Sequence, residues 1–247
     1  LPYTLLLLLA QFTAGCAAAV LYVQLRGGFE AAFIRVCSWL TISGAALTAL
    51  TALAIEQQTR VEAYPLDPDV IAPARGVALA LLLFSLVFAF FLRRPDEAFL
   101  TTATGTTTAA LGGVLLVLLA SLVRLPAWSI AGPLLTLVAG SLALGMSTVA
   151  MVWGHWYLVN PRLDEEPLVE LTLITTGVLM LELIAVAINA IMPVGAPVDS
   201  NALLAIDLPQ NPAFWLRVGI GTLWRFFDRH GITRKKRPRT PPSRRAS

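Results

Sequence analysis

The sequence predicts an all-α, polytopic transmembrane helix bundle of about seven spans, with the N-terminus outside and the C-terminus in the cytoplasm. Of its 247 residues, 57% are hydrophobic and only 13% are charged, and the mean hydropathy is +0.74. A soluble domain carries about 25% charge. Apolar stretches long enough to cross a bilayer recur along the chain, and basic residues are distributed unevenly between the loops that join them.

Seven stretches have the roughly 20 mostly apolar residues that a bilayer crossing needs. In chain order they are 3–25, 36–55, 76–92, 98–123, 130–158, 168–192 and 211–228. They place a transmembrane bundle over residues 1–228. A lipoprotein-type signal ending at Cys16 is an alternative interpretation of the first stretch. The chain lacks the basic n-region of such a signal, and its apolar run continues to Leu25, so a span is favoured.

Arginine and lysine positions predict the orientation, because these residues accumulate in cytoplasmic loops. Arg26 and Arg35 follow the first span, and Arg93 and Arg94 follow the third, whereas the connection 193–210 has neither Arg nor Lys. The first and third connections are therefore predicted to be cytoplasmic. The seventh span is interrupted by charged side chains. If it only lay along the interface, the basic tail would be outside, against the rule.

The C-terminal segment 229–247 is basic and predicted to be a disordered cytoplasmic tail. Anionic membrane lipids are its expected partner, through Arg234, Lys235, Lys236 and Arg237. A nucleic-acid partner is not expected, because recognition needs more than a short basic tail. The dominance of arginine over lysine suggests a bacterial genome, and therefore a multi-pass protein of the bacterial inner membrane.

Small residues spaced four apart mark the expected helix–helix contacts, because helices in lipid associate where their backbones approach closely. They form the pairs Ala14/Ala18, Gly15/Ala19, Ala109/Gly113 and Ser141/Gly145. A run of threonines opens the fourth span, from Thr101 to Thr108. Threonine hydroxyls can bond backbone carbonyls three or four residues back, and a polar pathway lined by them is the alternative.

Ionisable side chains inside spans are functional candidates by default. Glu182 falls near the middle of the sixth span, and Arg217 enters the seventh about five residues from its outer end. The sequence predicts an intramembrane Glu182–Arg217 pair, with Asn189 two turns from Glu182 on a similar face. Such a pair would either clamp the seventh helix or serve a quinone, substrate or proton site.

A polar and aromatic cluster closes the fifth span, and contains Trp153, His155, Trp156 and Tyr157. Tryptophan and tyrosine favour the membrane interface because their rings are amphipathic, but this does not account for the histidine. The short loop to the sixth span would let His155 reach Glu170. A histidine–carboxylate pair at an interface suits a quinone headgroup or proton uptake.

The residue types in the chain limit the cofactors that it could bind. No cofactor is predicted outright, although a quinone fits the cluster around His155. Haem is not expected, because the second histidine, His230, falls in the basic tail. Retinal is excluded, since both lysines lie in the tail and none is in the bilayer to form a Schiff base. No Cys/His set has metal-ligand spacing, and no nucleotide-binding or nucleophile-elbow motif is present.

These features favour a non-catalytic integral membrane subunit that anchors other membrane subunits of a larger complex, with a quinone or lipid site near the cytoplasmic interface. The alternative is a small-solute or proton transporter that uses Glu182, Asn189 and Arg217. A truncated C-terminus would also account for the charged seventh span. Enzymatic activity is not expected, because the loops are too short to hold a soluble domain.

The predicted Glu182–Arg217 pair can be tested by a double-mutant cycle. Glu182→Gln should destabilise the bundle far more when Arg217 is present than in an Arg217→Gln background, because the lone charge left behind is costly in lipid. The measurement is thermal unfolding in detergent. Strictly additive effects would rule out the pair.

Overall fold

The computed structural model of the chain describes residues 2–55, 60–61, 64–94, 96–123, 129–160 and 163–192. All of the described residues belong to one compact unit of the chain. The predicted seventh span, Arg217 and the basic tail lie outside them.

Six helices make up the described bundle: α1 Pro2–Arg26, α2 Ala31–Ala54, α3 Ile71–Phe91, α4 Ala98–Leu122, α5 Ala131–Val159 and α6 Glu166–Ile191. Each is long and apolar enough to cross a membrane. Apolar segments form helices in lipid because the helix satisfies every interior backbone hydrogen bond within the segment. The predicted all-α architecture is confirmed for the described residues, and its six long apolar helices are compatible with a multi-pass membrane protein.

The connection between α2 and α3 contains the remaining regular structure. Strands β1 Arg60–Val61 and β2 Tyr64–Pro65 pair antiparallel, with Val61 opposite Tyr64. A 3-10 helix, Pro68–Val70, then leads into α3, and the Asp67 carboxylate accepts a hydrogen bond from the backbone N–H of Asp69 at 3.2 Å.

Two helices begin five residues earlier than the sequence predicts. Each includes an arginine that the predicted bounds place in a loop. Helix α2 begins at Ala31 rather than at residue 36, and α3 at Ile71 rather than at residue 76. Arg35 and Arg75 therefore lie within helices. An arginine near a helix end can carry its charge along an apolar stem to a polar partner or to the interface, so it does not end the helix.

Helix α1 occupies the centre of the described bundle, where it packs against α2, α4 and α5. Helix α3 packs against α2 and α4, while α6 packs against α5. The bundle has two ends. The Glu30 end contains the α1–α2, α3–α4 and α5–α6 connections, and the Arg75 end contains the α2–α3 and α4–α5 connections. Each end has its own apolar core, around Leu81 and Leu115 at the Arg75 end and around Phe33 and Trp153 at the Glu30 end.

Direct backbone contact joins α1 to α5 at small residues from two of the predicted pairs, Gly15/Ala19 and Ser141/Gly145. A Cβ atom built on Gly145 would overlap the backbone carbonyl of Gly15, and one built on Gly15 would overlap the carbonyl of Ser141. The contact between α1 and α4 is nearly as close, since a Cβ on Gly112 would lie 3.0 Å from the Cβ of Ala14. Glycine therefore sets the distance between these helices.

The Ala109/Gly113 pair does not pack against another helix of the described bundle at Gly113. Gly113 is exposed, and a Cβ built on it would meet no atom within 4 Å. The buried stripe of α4 passes instead through Thr101, Gly105, Thr108 and Gly112. Gly112 and Gly113 are about 100° apart around the helix axis. The sequence alone does not show which of the two faces a neighbouring helix.

Gly145→Ala should destabilise the bundle by about 1–3 kcal/mol, because the added methyl group forces α5 away from α1. The matched control is Gly113→Ala, which adds the same atom where there is open space. It should leave stability unchanged or raise it by up to about 1 kcal/mol through helix propensity. Unfolding followed by circular dichroism in detergent measures both, and equal effects would contradict the packing described for α1 and α5.

Candidate functional site

The turn between α1 and α2 brings an acidic residue against the end of α5. Gly27 and Gly28 have φ of 71° and 79°, a region that glycine adopts without steric cost. The chain therefore reverses within a few residues and presents Glu30. The indole N–H of Trp156 donates to Glu30 Oε2 at 2.9 Å, and Asn160 Nδ2 donates to Glu30 Oε1 at 3.2 Å.

A second carboxylate at this end joins α1 to α6. Arg26 Nε donates to Glu170 Oε2 at 2.8 Å, and the Tyr22 hydroxyl donates to Glu170 Oε1. The same guanidinium reaches Glu166, with Nη2 2.9 Å from Oε1. Because Glu166 and Glu170 are one helical turn apart, a single arginine on α1 can bind both.

Aromatic rings fill the space between these two polar contacts. Trp153 is only 1% exposed, and its ring makes edge-to-face contacts with Phe29 and Phe33, each with centroids 4.8 Å apart. Such contacts add to the stabilisation gained by burying the rings. Trp153 Nε1 has no hydrogen-bond partner among the described residues. Tyr157 is buried one turn further along α5.

The structure brings Trp153, Trp156 and Glu170 to one end of the bundle, but it does not join His155 to Glu170. His155 lies on an exposed face of α5. Across the described side chains, neither a hydrogen bond nor an ion pair connects it to Glu170, whose oxygens accept from Tyr22 and Arg26. The expected histidine–carboxylate contact is therefore replaced by one between α1 and α6.

Sequence reasoning missed Tyr22, Arg26 and Glu30 as members of this cluster. A signal was available, since Arg26 and Glu30 flank the Gly27-Gly28 turn and the acidic pair at the start of α6 falls at the same membrane side. What the sequence did not give is which helices are neighbours, and α1 next to α5 is a non-sequential contact.

A second polar contact lies at mid-depth, where α1, α5 and α6 meet. A Cβ built on Gly140 would lie 3.3 Å from Gln11 Nε2 and 3.4 Å from Glu182 Oε1. Gln11 is buried and Glu182 half-buried. Each of the three residues is nine positions from its helix terminus at the Arg75 end, a depth of about 14 Å at 1.5 Å per residue. Gln11 and Gly140 carried no signal in the sequence that set them apart.

Asn189 continues this contact two turns away on α6. Its Nδ2 donates to Thr136 Oγ1 at 2.9 Å and to the carbonyl of Gly132 at 3.1 Å, both on α5. Interhelical hydrogen bonds of this kind hold transmembrane helices together. The residues of these two contacts form a polar seam, which consists of Gln11, Gly132, Thr136, Gly140, Glu182 and Asn189.

Four of the six threonine hydroxyls of α4 bond to backbone carbonyls close by in the chain. Thr101, Thr104, Thr107 and Thr108 donate to carbonyls four residues back, at 2.7 to 3.0 Å. These hydrogen bonds hide four hydroxyl donors from lipid. A polar pathway lined by the threonines stays a prediction.

A metal site does not stand out in the described part of the chain. It contains no group of three His, Cys, Asp or Glu side chains that could hold a metal ion. An apolar cavity at the Arg75 end, beside Tyr3, Ile71 and Leu119, has a volume of about 10 Å³. That is room for one water molecule and far below the size of a ligand site.

Comparisons of the chain with protein-family models, with curated proteins and with solved structures find no match.

The ion pairs of Arg26 with Glu166 and with Glu170 should contribute unequally to stability. Glu170→Gln should lower the unfolding midpoint more than Glu166→Gln. The Glu166 side chain is largely exposed, and solvent screens an exposed ion pair, whereas Glu170 also binds Tyr22 and is better covered. Melting curves of the two variants in detergent provide the comparison. A larger loss for Glu166→Gln would contradict the assignment.

Proposed function

We propose that this chain is a non-catalytic integral membrane subunit that anchors partner proteins in a larger membrane complex. The observation that supports the proposal is how the chain uses its polar side chains. Glu30, Glu170, Arg26 and Asn189 each join one helix to another. Polar groups used in this way stabilise a scaffold, and the short connections leave little chain for a catalytic domain.

The topology that goes with this proposal has seven spans in a bacterial inner membrane, with the N-terminus outside. The uneven distribution of Arg and Lys supports it. The tail 229–247 would then lie in the cytoplasm, where its basic residues would meet anionic lipid.

A ligand site belongs to the proposal at the Glu30 end, for a quinone or a lipid headgroup. Support comes from His155, which is exposed beside Trp156, and from the aromatic residues that line this end of α5. The imidazole N–H can donate a hydrogen bond to a quinone carbonyl, and an unprotonated ring nitrogen can accept one from the hydroxyl of a quinol.

The polar seam favours a second candidate, a small-solute or proton transporter. A carboxylate and two amide side chains from α1 and α6 meet α5 within the membrane, and intramembrane carboxylates commonly mark ion or proton pathways. Glu182 would then take part in binding the transported species.

One purification distinguishes the two proposals. The tagged full-length chain is extracted from native membranes in mild detergent and analysed by mass spectrometry and absorbance. A subunit should bring partner membrane proteins with it in fixed stoichiometry. A transporter should be isolated alone and should carry proton flux in proteoliposomes that Glu182→Gln abolishes. Isolation alone would contradict the subunit proposal.

The proposed ligand site has its own test in the same material. His155→Ala should reduce quinone binding by the assembled complex, yet change the free energy of unfolding by no more than about 0.5 kcal/mol, because the side chain is exposed. Leu158→Ala, at another exposed position of the same helix end, is the control. Unchanged quinone binding in His155→Ala would remove His155 from the site.

A further inference from the structure

Two arginines at the Glu30 end lack the acceptors that Arg26, Arg75 and Arg94 have. Arg26 binds Glu166 and Glu170, while Arg75 donates to backbone carbonyls of α2. Arg94 lies 3.5 Å from Glu97. The guanidinium groups of Arg35 and Arg93, both exposed, make no hydrogen bond or ion pair to another described residue. These two positive charges are therefore uncompensated within this part of the chain.

Both of these arginines lie beside the same exposed tryptophan. Trp39 is 52% exposed, and the Arg93 Cζ atom is 5.9 Å from the centroid of its ring. Arg35 is four residues before Trp39 on α2, which places it on the same face one turn nearer the Glu30 end. Helix α2 and the turn after α3 thus contribute to one basic, aromatic surface, defined by Arg35, Trp39 and Arg93.

This surface lies at the first turns of a helix that is long and apolar enough to cross a membrane. Arg35 is four residues and Trp39 eight residues beyond the first residue of α2, which is about 6 and 12 Å along the helix. Arg93 follows the end of α3, and its guanidinium lies over the ring of Trp39 on α2. A guanidinium held near hydrocarbon is stabilised by a ring face, but it also needs an anion close by.

We propose that Arg35, Trp39 and Arg93 form a binding site for the headgroup of an anionic phospholipid. Lipid phosphates are the anions of the membrane interface, and a guanidinium can bind a phosphate with two parallel hydrogen bonds. The tryptophan ring would lie against the apolar part of the same lipid. The site is independent of the function proposed above, since either a subunit or a transporter could carry it.

The test measures which lipids remain bound to the full-length chain. Wild-type protein is placed in nanodiscs of phosphatidylglycerol and phosphatidylcholine, released into detergent, and its retained lipids are counted by native mass spectrometry. We expect retention of phosphatidylglycerol over phosphatidylcholine. Arg35→Gln and Arg93→Gln should each lower this preference about fivefold, and the double variant about 25-fold.

The matched control is Arg94→Gln, which removes a neighbouring charge that Glu97 already compensates. It should leave the preference unchanged. Equal loss in this control, or no loss in the double variant, would overturn the proposal. If the double variant does not fold, Trp39→Leu replaces it, because it keeps both charges but removes the ring, and an unchanged preference there also overturns the proposal.

Inorganic phosphate in solution could bind the same guanidinium groups as a lipid headgroup. Inorganic phosphate added before release should not displace the retained phosphatidylglycerol, because it lacks the acyl chains that contact Trp39. Displacement at millimolar phosphate would show a site for a soluble anion and would overturn the assignment to lipid.

Discussion

The contact of α1 with α5 through glycine is the constraint on which the rest of the described bundle depends. With Gly15 against Ser141 and Gly145, the two backbones touch, and the first helix of the chain becomes the neighbour of the fifth. Helices α2 and α4 then pack around α1, and α6 follows α5. Removing side chains from a helix crossing in lipid lets backbone groups pack directly, and this packing replaces the hydrophobic driving force that is missing there.

The polar contacts of the chain depend on this pairing. Gln11 reaches Gly140 because it is one turn before Gly15 on α1, and Gly140 is beside Ser141 on α5. At the other end of the same helices, Glu30 meets Trp156, and Arg26 reaches the start of α6. The close crossing therefore aligns polar groups at two depths, about the middle of the bundle and the Glu30 end.

Much of the fold could be predicted from the sequence, because composition and span length determine it in lipid. The positions of the first six helices and the Gly15 and Gly145 packing pairs followed from local pattern alone. The starts of α2 and α3 did not, because Arg35 and Arg75 resemble loop residues until their side-chain partners are known. The cluster at Glu30 was only partly predictable for a related reason. The sequence identified Trp156 and Glu170, but the residues that bind Glu170 come from α1, and nothing local specifies which helices are neighbours.

Arg75 has a consequence for how the chain enters the membrane. Its guanidinium, on α3, donates to the carbonyls of Ala52 and Ile55 at the end of α2. If α3 entered the bilayer without α2, this charge would lose both acceptors, and the last turn of α2 would lose its donors. Each helix thus supplies hydrogen-bond partners for polar groups of the other that would be costly to expose to lipid. This favours insertion of α2 and α3 together as a helical hairpin. For a translocon, residues 31–91 are then one unit of insertion rather than two.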